Sequence, residues 1–165
     1  MKKLWILCLV AILCLPMLFA CNEKQPPSNG LPFAFLADGQ TTVYPGMLAD
    51  AALPALSAKN PQISVKASCL GGVDGEDVTY VYQGFRIQTF RTASSEEIRW
   101  VILSDDSVAT MEGVAIGDAV EKVKSAYGEP VETTDTLLTY VREQVKLRFV
   151  IRDGAVRSIE YTVAE

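Results

Sequence analysis

The sequence predicts an α+β fold: two tandem helix-plus-antiparallel-sheet repeats that join into one curved sheet with the helices on one face. Three observations predict it. Residues 113–130, GVAIGDAVEKVKSAYGEP, carry the pattern of a short amphipathic helix with start and stop signals. Residues 78–90 and 139–150 alternate apolar and polar side chains, as half-buried strands do. On a shift of 60 residues those stretches superimpose: Thr79-Tyr80-Val81 falls on Thr139-Tyr140-Val141, Phe85 on Val145, Ile87 on Leu147 and Phe90 on Val150.

The chain begins with an address. Residues 1–20, MKKLWILCLVAILCLPMLFA, have two lysines, an apolar run from Leu4 to Leu15 and a small Ala20 before Cys21. This is the layout of an export signal; the run is short for a membrane span, and Pro16 ends it. Leu18-Phe19-Ala20-Cys21 is similar to the lipobox of bacterial lipoproteins, although Phe19 is bulkier than the residue usual there. In that class the cysteine is acylated by a palmitate-type chain and becomes the new N-terminus. The expectation is lipidation at Cys21 and a lipid-anchored protein in the cell membrane, facing the extracytoplasmic side; an ordinary signal peptide cut nearby is the alternative. Residues 21–32, rich in Pro, Ser, Asn and Gly, read as a flexible tether.

Removing residues 1–20 takes Lys2 and Lys3 away, so 13 basic side chains face 20 acidic ones, a balance that argues against nucleic acid as a partner. The chain has no histidine, hence neither the usual neutral-pH base nor the commonest metal ligand. Cys8 and Cys14 leave with the signal. With Cys21 acylated, Cys69 has no partner for a disulfide, and a small buried apolar residue is its better reading.

The first repeat spans residues 33–106. Asp38-Gly39, between residues 33–36 and 41–44, suits a hairpin turn. Residues 47–59 favour helix, with Pro54 inside them predicting a kinked or two-piece element closed by Asn60-Pro61. Residues 65–69 follow as a short strand. In the loop predicted over residues 70–77, Asp74, Glu76 and Asp77 are hard oxygen ligands, but their spacing fits no calcium loop and a solvated acidic stretch is preferred to a metal site. Gln83-Gly84 then turns a hairpin that pairs residue 80 with 87 and puts Thr79, Val81, Arg86, Gln88 and Phe90 on the second face. After a polar loop over 92–97, residues 98–103 are apolar on both parities except Arg99. Ile98, Trp100 and Ile102 are expected to point away from the helices.

The second repeat spans residues 107–165. Asp118 suits an N-cap and Glu121 completes a capping box, opening a helix of about 10 residues. Ala119, Val120, Val123, Ala126 and Tyr127 share its apolar face; Gly128 and Pro130 end it. Its stripe should cover Leu147 and Phe149. A three-residue loop, Arg152-Asp153-Gly154, would pair 147 with 159 and put Tyr140, Val145, Leu147, Phe149, Ile159 and Tyr161 on one face.

The pattern VAIGD, helix, YGEP and alternating strands resembles the repeat of the β-lactamase-inhibitor-protein-like superfamily (BLIP-like), which includes the SmpA/OmlA outer-membrane lipoproteins. The run DDSVATMEGVAIGD with AYGEP and the second hairpin resembles a family of small bacterial lipoproteins. Over residues 33–163 the resemblance implies tandem helix-plus-sheet units and a protein-binding or envelope role without catalysis. It carries over no contact residue.

The function these residues predict is a lipid-anchored binding module of unknown ligand, using the sheet face opposite the helices. Val81, Phe90, Trp100, Ile102, Val141 and Val150 would share that face with Arg86, Gln88, Lys146 and Arg148, an apolar centre with a basic and amide rim. Arg86, Phe90, Trp100 and Arg148 are the candidate contacts for a protein partner in the cell envelope. Alternatively, residues 33–44 simply cover part of that face, or the chain serves a structural role in envelope assembly. A hydrolase is the remoter reading: the adjacent acids 76–77, 96–97 and 105–106 point apart on a strand or lie solvated in a loop, and no nucleophile motif, phosphate loop, metal site or cofactor motif is present.

Overall fold

The computed structural model describes residues 30–70 and 72–164, with the backbone alone at Cys69 and Leu70. Residues 1–29, which include the expected signal peptide, Cys21 and most of the expected tether, lie outside the described residues. A small hairpin, β1 (Phe35–Leu36) and β2 (Thr42–Val43), opens the fold. The Asp38 carboxylate closes its turn by accepting from the backbone N–H of Gln40 (2.9 Å) and Thr41 (2.5 Å). The helix α1 (Leu53–Leu56) follows, then β3 (Gln62–Leu70), β4 (Val73–Val81), β5 (Phe85–Arg91) and β6 (Glu96–Leu103). The second half holds α2 (Val120–Tyr127), β7 (Glu132–Thr134), β8 (Leu137–Arg142), β9 (Val145–Arg152) and β10 (Ala155–Val163).

The last eight strands make a single antiparallel sheet in the order β3-β4-β5-β6-β10-β9-β8-β7. Each half is a meander, and the order is symmetric about the β6/β10 seam. There Leu103 pairs with Ile159 and Val101 with Tyr161. The expected α+β class is corrected by this arrangement: the molecule is mostly β, 50% strand and 14% helical, and its helices form no layer. The reason lies in two stretches. Of the stretch expected as an acidic loop, Leu70 and residues 73–77 are backbone-paired in the β3–β4 hairpin, with Cys69 opposite Asp74 and Ala67 opposite Glu76. Residues 47–59 yield only four residues of α-helix, because Pro54 is tolerated only in the first turn; 3₁₀ turns at Ala49–Ala51 and Ser57–Lys59 flank it, and Asn60 takes a left-handed φ of 47°.

The inner face of the sheet is the core. Val78, Ile87, Ile98, Val101, Leu103, Leu147, Phe149, Ile159 and Tyr161 are sealed there. From α2, Val123 is fully buried and the Tyr127 ring lies 5.2 Å from both Tyr140 and Phe149, centroid to centroid, as its stripe predicts, whereas Ala119 and Ala126, expected on the same stripe, are exposed. The N-terminal segment covers the same face and not the outer one: Phe35 stands edge-on to Phe85 at 5.0 Å, and the Tyr161 hydroxyl donates to the Ala34 carbonyl at 3.3 Å.

Three further expectations are corrected. Asp118 does not cap α2; Ala119 holds that position with no side-chain bond, and the Asp118 carboxylate instead accepts from Ala115 N–H and the Lys122 ammonium, both at 2.7 Å. Asp153-Gly154 is a two-residue turn with φ of 54° and 74°, and together with an extra residue at Arg157 it shifts the register by two, so Leu147 pairs with Tyr161 and not with Ile159. A slip of two residues leaves every face unchanged. Finally, Arg99 is an extra residue between the pairs Gln88–Trp100 and Thr89–Ile98, and this bulge turns Ile98 inward, where it is fully buried. Arg157 is the corresponding extra residue of β10, between the pairs Val150–Ser158 and Ile151–Val156.

Candidate binding face

The register of the central strands composes the outer face in rows. Thr79, Gln88, Trp100, Thr162, Lys146 and Val141 stand side by side in one row. Arg86, Ile102, Glu160, Arg148 and Thr139 stand in the next. The hydrophobic members Trp100 and Ile102 are half-buried, and Val81 and Val141 are each 44% exposed. Among the described residues no helix or loop seals this surface as the inner one is sealed.

The four predicted contacts fall on this face but do not converge on one point. Arg86 and Trp100 meet: with Thr79, Gln88 and Ile102 they line a shallow groove of about 190 Å³. The indole Nε1 there is shielded from solvent yet donates to no described residue. Nor does the exposed Arg86 guanidinium have an ion-pair partner among the described residues, so groove and cation are both open to a ligand. Phe90 is turned away over Gly75, so closely that a Cβ at Gly75 would stand 2.6 Å from its ring. The missing side chain is what lets the ring lie flat on β4. Arg148 is occupied by Glu160, 3.2 Å away on β10. Glu160 and Thr162 were missed by the sequence reading; the inward parity of Ile159 and Tyr161 was the signal that places them outward.

Two polar clusters lie elsewhere. Beneath α1, Glu96 accepts from Thr89 Oγ1 (2.6 Å), Tyr80 Oη (2.9 Å) and Arg91 Nε (2.8 Å). Burial works to raise the Glu96 pKa, but these bonds and the Arg91 charge outweigh it and hold it below the usual carboxylate range. A cleft of about 340 Å³ opens above, between Leu48, Leu53 and Pro54 on one wall and Tyr80, Ser94 and Ser95 on the other. At the other end of the core, Glu112 accepts from Tyr127 Oη (2.7 Å) and Arg142 Nη2 (2.8 Å), while the Arg142 guanidinium stands 3.9 Å from the Phe33 ring centroid. Burial above all pushes the Tyr127 hydroxyl far up, out of any physiological titration.

In both clusters the carboxylate is held by hydrogen bonds and an arginine from its own neighbours, an arrangement that fixes packing, although Glu96 also lines the cleft. The three acids once considered as cation ligands diverge along β4: Glu76 reaches Arg91 at 3.6 Å on the inner side, and Asp77 pairs with Lys66 on the outer. Among the described residues no three His, Cys, Asp or Glu side chains gather into a metal-binding group, and no helix is long and apolar enough to cross a membrane.

Comparison with family models, with curated proteins and with solved structures finds no match to this chain.

Proposed function

We propose that this protein is a lipid-anchored extracytoplasmic binding module, tethered at Cys21, that holds a protein partner of the cell envelope on the outer face of its sheet. The observation that carries the reading is the Trp100–Arg86 groove, where a half-buried indole with an unbonded N–H stands beside an unpaired guanidinium. Aromatic and arginine side chains in a partly desolvated recess are the usual anchors of protein interfaces. The symmetric strand order and the paired bulges at Arg99 and Arg157 support two duplicated units, divided between residues 33–106 and 107–165, as the BLIP-like and SmpA/OmlA resemblance implies. A structural role in envelope assembly is the second reading, favoured by the long open edge at β3.

The test is photo-crosslinking in cells. A photoreactive residue replacing Arg86 should give a discrete adduct that disappears when Trp100 is also changed to Ala, whereas the same residue at Asp153, on the β9–β10 turn, should give none. No adduct from position 86 removes the reading. The anchor is tested separately: Cys21→Ser should release the chain from the membrane fraction, and retention with unchanged mobility would sink the lipoprotein assignment.

A further inference from the structure

The two ends of the eight-stranded sheet are finished differently. One edge is β7, three residues long, exposed and carrying Glu132, the short polar kind of edge that resists pairing. The other edge is β3, nine residues paired with β4 alone and without a register break. Its alternation is clean. Ser64 and Lys66 follow Thr79 and Asp77 onto the outer face, while Ile63 and Val65 follow the core residues Tyr80 and Val78 onto the inner one. Yet Ile63 is 59% and Val65 49% exposed, since the helical turns before β3 stop short of it. Core-type side chains therefore run on to an edge whose backbone N–H and C=O groups have no strand beyond them among the described residues.

We propose that β3 is a self-association edge: two copies of this chain pair β3 antiparallel to β3 across a two-fold axis at Val65, continuing the sheet from one molecule into the other. The occupant follows from the register. A two-fold axis normal to the sheet keeps each face on its own side, so paired residues must share parity. An axis at Lys66 gives the longest overlap but sets two ammonium groups directly opposite, which is unfavourable. An axis at Ser64 shortens the overlap to five residues of the strand. At Val65, Val65 faces its own copy, Ile63 faces Ala67, and Lys66 faces Ser64 while keeping Asp77 beside it on its own β4. This register covers the exposed apolar pair with like side chains and separates the lysines. The strand is complementary to itself in a way that a foreign peptide need not be.

Disulfide trapping reads this register directly, because residues opposed in an antiparallel pair have Cα atoms about 4.5–5.5 Å apart, within the span of a disulfide. In membranes of cells expressing the full chain, treated with a copper–phenanthroline oxidant, Val65→Cys should give a disulfide-linked dimer at least tenfold above the background of the unsubstituted chain. Ile63→Cys and Lys66→Cys alone should stay near background. Ser64→Cys and Lys66→Cys chains expressed together should cross-link, and adding Val65→Lys, which sets two cations on the axis, should abolish that band. Because Val65 is half exposed, Val65→Lys should leave the thermal melt unchanged once the purified chain is diluted to the monomer, separating lost pairing from lost folding. The proposal is overturned if Val65→Cys stays at background, if Lys66→Cys alone links as strongly, or if β3 cross-links only to a different protein.

Discussion

Over β8 and β9 one helix does the covering, whereas over β4 and β5 the same task falls to a broken run of turns and the N-terminal hairpin. Both inner surfaces have the same period-2 pattern, and Tyr80 and Tyr140 begin them alike. The difference comes from what precedes the strands. Residues 119–127 hold a stripe at helical spacing and no proline, so α2 forms and plants Tyr127 between Tyr140 and Phe149. Residues 47–59 have the composition of a helix, but Pro54 restricts it to a single turn, and β3 is left uncovered at its edge. Composition that favours helix does not make one where a proline decides its length.

The strongest way to break this comparison is at Tyr127. Tyr127→Ala should cost about 3–5 kcal/mol in a denaturant titration, the usual loss for a large core aromatic; a loss below 1 kcal/mol would mean that α2 covers its half no better than the turns cover theirs. Arg142→Ala comes next. It strips Glu112 of its cation and Phe33 of its stacked guanidinium, and should cost about 1–3 kcal/mol. In the other half, Glu96→Gln should cost about 1–2 kcal/mol at neutral pH, because an amide cannot replace the charged acceptor of Arg91. The sign with pH follows from the lowered Glu96 pKa. Its contribution is present above the ordinary value of 4.5 and lost as pH falls through the folded-state value, so wild type and Glu96→Gln should converge in stability in acid. The smallest effect is Pro54→Ala, which lifts the limit on residues 47–59 and should change stability by no more than about 1 kcal/mol while raising the helical circular dichroism signal. An unchanged signal would show that another feature of these residues, and not Pro54, sets the length of α1.

Side-chain parity was the most legible property of the sequence. It placed Phe85, Ile87, Leu147 and Phe149 in the core, and Arg86, Trp100 and Arg148 outside, before any register was known. The Gln83-Gly84 turn and the Tyr127 stripe could be read for the same reason: each depends on near neighbours in the chain. What was not legible depends on the opposite strand. The bulge at Arg99 leaves no local mark, because residues 98–103 are apolar on both parities and fit either phase. The β3–β4 hairpin was hidden by the poor strand propensity of Gly75, Asp74 and Asp77, which nine backbone pairs with β3 override. Of the candidate face, the residue types were readable; that Phe90 folds onto Gly75 and Arg148 onto Glu160 required the register of four strands.

The symmetric strand order also governs the sequence of events at birth. β6 is finished at residue 103, but its neighbour on the seam side begins at residue 155, so the intervening turns, α2 and β7 to β9 must all be made first. Until then the first half is a meander with two bare edges, and Leu103, Val101 and Ile98 lack the Ile159 and Tyr161 rows that later lie beside them. A nascent chain held at that stage presents its most apolar strand to any other chain in the same condition, the usual origin of misassembly among tandem units. The symmetric order thus makes the completion of residues 155–163 the step that covers the open edge of β6.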